Sequence, residues 1–84
     1  MKFVNSLAIK KEESDSMNWG HNLKRARERK GLSQMALSEQ IGVSQPTLAQ
    51  YESNMKFPTF LPLVNLERVL GVSMQELYDE KEET

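Results

Sequence analysis

Glycine and serine punctuate this chain so closely that only short helices fit between them. Gly31, Gly42 and Gly71 each follow an apolar run, and Ser33, Ser44 and Ser73 each stand just ahead of the next one. Glycine tolerates the left-handed backbone that ends a helix, while a serine hydroxyl accepts a hydrogen bond from an amide of the following first turn. Asn18 stands as a further cap before Trp19, Leu23 and Ala26. Thr59 does the same before Leu63, Leu66, Val69 and Leu70, which form an inward stripe. Leu37 and Ile41 are paired at i,i+4 in a second helix, and Met74, Leu77 and Tyr78 fall on a short fifth. Pro46 and Pro62 lie in first helical turns, where no intrahelical donor is lost. Residues 53–58 read as a loop, and nowhere does the sustained alternation of a strand appear. The expected fold is all-α, with five short helices over residues 18–78. A chain of 84 residues has too little apolar surface to fill two cores, so one domain is expected.

Residues 1–17 show no sustained helical period, and the charged, serine-containing stretch from Lys10 to Ser16 reads as a mobile arm. Residues 79–84 read as a frayed acidic tail. The chain has no cysteine, which excludes disulfides, thiolate nucleophiles and cysteine-based metal sites. Its lone histidine, His21, cannot assemble a zinc site, and Trp19 is expected to cover one end of the core. With no nucleophile elbow, phosphate-cradling glycine loop or paired catalytic residues, no enzyme activity, cofactor or metal is expected. No apolar run approaches the ~20 residues of a membrane span, and the N-terminus is too polar for a signal peptide. A cytoplasmic location is the expectation.

A net charge of −1 argues at first against a polyanionic partner. The charge is polarised, however. Residues 18–58 carry Lys24, Arg25, Arg27, Arg29, Lys30 and Lys56 against Glu28, Glu39 and Glu52, a net +3. Residues 59–84 carry −4. A basic middle can therefore meet a polyanion while the acidic end is held away from it.

The most informative segment runs from Ser33 to Glu52, two helices of about two turns each joined at Gly42, with Val43 placed to tuck between them. That is a helix-turn-helix arrangement, whose second helix lies in the DNA major groove. From Asn18 to Tyr78 the chain resembles the phage repressor/Cro-type (Xre-like) helix-turn-helix proteins. The resemblance rests on Leu23 to Arg27, Lys30-Gly31-Leu32-Ser33-Gln34, Ile41-Gly42-Val43-Ser44, Tyr51-Glu52, Phe57-Pro58-Thr59-Phe60-Leu61-Pro62 and Leu70-Gly71-Val72-Ser73. It implies a five-helix lambda-repressor-like domain that binds double-stranded operator DNA as a homodimer, most often as a repressor.

The chain departs from the family pattern at three positions. Ser38 replaces the usual alanine, and its hydroxyl can bond the carbonyl one turn earlier. Asn54 replaces a common glycine and tolerates the same left-handed geometry. Pro46 removes a backbone donor at the start of the third helix.

Glutamine amides can bond adenine bidentately through its N6 and N7. Gln45 and Gln50 are thus candidate base readers, expected on one exposed side, with Thr47 and Ala49 offering methyl contacts to thymine. Gln40 reads as a solvated helix residue. The resemblance implies that Gln34 touches phosphate and buttresses the first base reader, and that Asn54 and Lys56 grip the backbone. Ser33 and Ser44 mark helix N-termini whose amides suit phosphate. Arg25, Arg29 and Lys30 add charge without an assigned contact. The resemblance further implies a structural ion pair between Arg27 and Glu52. A dimer surface is expected around the last two helices, with Val72, Met74 and Tyr78 as candidates that are equally suited to the core. Two other classes stay open: an antitoxin-like module gripping a protein through its N-terminal arm or acidic tail, and a coactivator-like adaptor without sequence preference. The chain is expected to be either a stand-alone regulator or a DNA-binding piece of one.

Overall fold

The computed structural model describes residues 18–79, so the expected N-terminal arm and residues 80–84 of the acidic tail lie outside the described residues. Five helices follow in order: α1 (Trp19–Arg29), α2 (Gln34–Ile41), α3 (Gln45–Glu52), α4 (Phe60–Leu70) and α5 (Met74–Asp79). Asp79, expected to open the tail, is the last residue of α5.

The caps show how local chemistry sets these boundaries. Ser33 Oγ accepts from the Ala36 amide at 3.0 Å, and Ser44 Oγ from the Thr47 amide at 3.2 Å. Ser73 and Glu76 close a reciprocal box: the Glu76 amide donates to Ser73 Oγ at 3.0 Å and the Ser73 amide donates to Glu76 Oε1 at 2.8 Å. Two expected caps differ. Asn18 occupies the cap position, but its backbone is already helical and its side chain makes no cap bond. Thr59 has the extended cap backbone and makes no cap bond either. Here Pro62 is the third residue of α4, so the amide that a cap side chain most often meets is missing.

Every helix contributes to one core. Trp19, Leu23 and Ala26 come from α1, Leu37 and Ile41 from α2, Leu48 and Tyr51 from α3, Leu66 and Leu70 from α4, and Leu77 from α5. Fully burying one such large apolar side chain contributes roughly 1.5–3 kcal/mol. Val43 and Val69 pack against this core as expected, while Leu63 is only half-buried. Trp19 is buried and its ring lies 4.7 Å from that of Phe57.

Between α2 and α3, Gly42 adopts φ 79°, which a β-carbon would disfavour, and the Val43 amide returns to the Ser38 carbonyl at 3.0 Å. Ser38 is buried and its hydroxyl donates to the Met35 carbonyl at 2.8 Å, the back-bond its small size permits. A second glycine matters for a different reason. A β-carbon on Gly20 would stand 2.5 Å from the carbonyl oxygens of both Tyr51 and Glu52, so α1 crosses the end of α3 at backbone contact.

Candidate nucleic-acid interface

The α3 helix shows two faces. Leu48 and Tyr51 are buried, Gln45, Pro46 and Gln50 are exposed, and Thr47 and Ala49 are half-buried. Gln45 and Ala49 align at i,i+4, as do Pro46 and Gln50. Five residues of helix separate Gln45 from Gln50 by about 140°, so the two glutamines bracket the exposed arc and do not stand one above the other. Both stay on one continuous exposed arc, at its two edges. Thr47 is held locally: its Oγ1 accepts the Ser44 hydroxyl at 2.9 Å.

A continuous chain of polar side chains runs from the domain interior to this surface. Arg27 Nε donates to Glu52 Oε2 at 2.6 Å and its Nη2 to Glu52 Oε1 at 3.1 Å, a two-pronged pair with side chains 10% and 5% exposed. Arg27 Nη1 donates to the Leu32 carbonyl at 2.9 Å, tying the same guanidinium to the α1–α2 junction. The hydrogen bond to Glu52 raises the Arg27 pKa above its ordinary value, against the opposing pull of burial. Glu52 Oε1 also accepts from Gln34 Nε2 at 2.9 Å, and Gln34 Oε1 accepts from Gln45 Nε2 at 3.3 Å. Gln34 is thereby oriented by a charged acceptor on one side and orients an exposed amide on the other. The second Nε2 proton and the Oε1 of Gln45 remain for a ligand, the donor and acceptor pair that an adenine edge requires.

The flanking groups differ in what they offer an anion. At the start of α2, the amides of Gln34 and Met35 precede the first cap-bonded amide, and the helix dipole places partial positive charge there. At the start of α3, Pro46 leaves only the Gln45 amide ahead of the one that Ser44 takes. Asn54 has φ 63°, the left-handed geometry expected of it. Its Oδ1 accepts from the Gly20 amide at 2.9 Å, so this side chain caps α1 from a loop 34 residues away. The amides of Met55 and Lys56 both turn back to the Gln50 carbonyl, at 2.9 and 3.3 Å, and the Lys56 side chain is exposed.

Other candidates sit elsewhere. Arg29 lines an open groove with residues of the α4–α5 turn and α5, including Gly71, Ser73 and Glu76, and Lys30 Nζ also lies near Gly71. Val72 and Met74 pack partly against the core, while Tyr78 is exposed. Sequence reasoning missed Gly20 and Phe57. A glycine inside a helix turn is unfavourable by about 1 kcal/mol and so signals a close approach, whereas a single loop aromatic carries no periodic signal.

The helix-turn-helix family model matches residues 23–77. The chain is 30% identical over 59 residues to the uncharacterized HTH-type transcriptional regulator YqaE of Bacillus subtilis, covering 70% of this chain and 51% of that protein. It thus spans about half the length of that relative. It is 38% identical over 65 residues to the uncharacterized HTH-type transcriptional regulator y4dJ of Sinorhizobium fredii, covering 77% of this chain and 84% of that one. Among solved structures, the DNA-binding domain of the P22 c2 repressor superposes with a TM-score of 0.66 at 26% identity, over 74% of this chain and 82% of that domain.

Proposed function

The chain belongs to the helix-turn-helix family of DNA-binding transcriptional regulators, a non-enzymatic class, and we propose that it is a cytoplasmic repressor that inserts α3 into the major groove of operator DNA. The observation that carries this reading is the Gln45 amide, exposed on α3 and held by Gln34, which Glu52 and Arg27 hold in turn. An amide presented this way arrives at a base edge with its orientation already restricted, so less side-chain entropy is lost on binding. Gln50, on the other edge of the arc, reads a second position, with Ala49 between them and Thr47 beside Gln50. The α2 N-terminus, Ser33, Ser44 and Lys56 meet the phosphates on either side.

One such domain makes few base contacts, and each good bidentate pair contributes only about 1–3 kcal/mol of discrimination. Pairing two chains on a twofold site supplies the rest. For the dimer surface, Val72 and Met74 are partly used by the core, while Tyr78 is exposed, as are Phe60 and Leu61 in the first turn of α4. No helix among the described residues is long and apolar enough to cross a membrane.

Selection of bound duplexes from a random DNA pool tests the proposal. The expected outcome is a short consensus with approximate twofold symmetry. Gln45→Ala and Gln50→Ala should each relax preference at defined base pairs. A pool that yields no consensus would favour an adaptor without sequence preference, and unchanged discrimination in both variants would remove the assigned readers.

A further inference from the structure

The loop after α3 is fastened to the first turn of α1 at two points that flank Lys56. On one side Asn54 Oδ1 takes the Gly20 amide at 2.9 Å. On the other, the Phe57 ring lies 4.7 Å from that of the buried Trp19, tilted by 37°. Between them the Lys56 amide bonds the Gln50 carbonyl at 3.3 Å, and Pro58 is buried just beyond. Each of these groups has a less ordered alternative. Asn54 could meet its left-handed φ as a glycine does, with no side chain at all, and Phe57 is still 57% exposed despite its stacking. The expense of ordering four loop residues, roughly 1–2 kcal/mol of backbone entropy each, is offset here by side-chain contacts to a helix distant in sequence.

We infer that Asn54 and Phe57 are positioning residues that clamp this loop on α1 and so hold Lys56 at the DNA backbone, an inference that rests on the DNA-binding reading above. Asn54 thereby acts on Lys56 through its hold on Gly20. Its side-chain oxygen is engaged by the Gly20 amide, which is the contact that fastens the loop to α1. An unclamped loop would leave Lys56 to find its phosphate from many conformations, which weakens binding without altering which bases are read.

A double-mutant cycle on the full chain tests this, with a short random-sequence DNA duplex as the probe and binding followed over a salt series. Lys56→Ala should lower the slope of log affinity against log salt by about one. Asn54→Gly preserves the left-handed geometry and removes the clamping side chain; it should weaken binding by about threefold in the parent and by much less in the Lys56→Ala background. Phe57→Leu should behave like Asn54→Gly, and in both variants the fluorescence of Trp19 reports the loosened stacking. Circular dichroism checks that the helices persist. Equal losses from Asn54→Gly with and without Lys56 would overturn the clamp while leaving the DNA-binding reading intact. If Lys56→Ala alone changes neither affinity nor slope, the clamp has nothing to act through and is overturned. Failure of the parent chain to bind any duplex would instead overturn the functional reading itself.

Discussion

The two ends of α3 are built on different principles. Its C-terminal end is locked: Tyr51 is buried, Glu52 is paired with Arg27, and the backbone of both lies against Gly20 of α1. Its N-terminal end is open: Gln45 and Pro46 are exposed, and a 3.3 Å side-chain bond to Gln34 links Gln45 to α2. A helix held at one end by buried packing and charge, and solvent-facing at the other, presents its leading residues at a defined angle while keeping their polar groups available. The difference separates residues that hold the fold from the proposed base readers, and it can be broken at either end.

The largest effect is expected at the locked end. Arg27→Ala or Glu52→Ala leaves its partner's charge poorly solvated, and each should cost roughly 3–5 kcal/mol in chemical denaturation. A loss below about 1 kcal/mol would show that the pair contributes little to the mount. Gly20→Ala should follow at about 1–3 kcal/mol, because a β-carbon 2.5 Å from two carbonyl oxygens must push the helices apart. Unchanged thermal unfolding would show that α1 and α3 separate without penalty.

The open end should answer in the opposite way. Gln45→Ala should leave stability within about 0.5 kcal/mol, as exposed substitutions do, yet reduce discrimination at its base pair by about 1–3 kcal/mol. Gln34→Ala joins the two regimes: it should relax the same base preference by a smaller factor, read out in competition binding. If it leaves that preference untouched, the side-chain relay does not orient Gln45.

The smallest effect concerns Tyr51. Burial raises its phenol pKa above the ordinary 10.0. Its protonated form is therefore favoured by the fold, so the contribution is fully present below pH ~10 and is lost as pH rises through the folded-state value. Tyr51→Phe should flatten the alkaline decline of stability by that part, measured by denaturation at stepped pH. A parallel decline in parent and variant would count against it.

Much of this was legible from local signals. Glycine stops, serine caps and the apolar periods located five helices, because capping and amphipathicity act within one or two turns. The resemblance to repressor-type proteins placed Arg27 opposite Glu52, and the structure joins them at 2.6 Å. What escaped was non-local. Asn18 looks like a cap in sequence, yet the amide it would serve is taken by Asn54, and no local rule pairs Gly20 with a residue 34 positions away. The spacing of Gln45 and Gln50 sets their separation around α3, while the packing of Leu48 and Tyr51 decided which arc is exposed.

The amino-acid order alone settles that the domain is all-helical, where its five helices lie to within a residue or two, and which side chains carry amides suited to base edges. These follow from backbone geometry and hydrogen bonding over a few residues. Tertiary structure alone settles which of those amides is held in place. Gln34 becomes a link between Glu52 and Gln45 only when α1, α2 and α3 converge, since a side-chain hydrogen bond demands about 3 Å and a defined angle that sequence spacing cannot specify across separate helices.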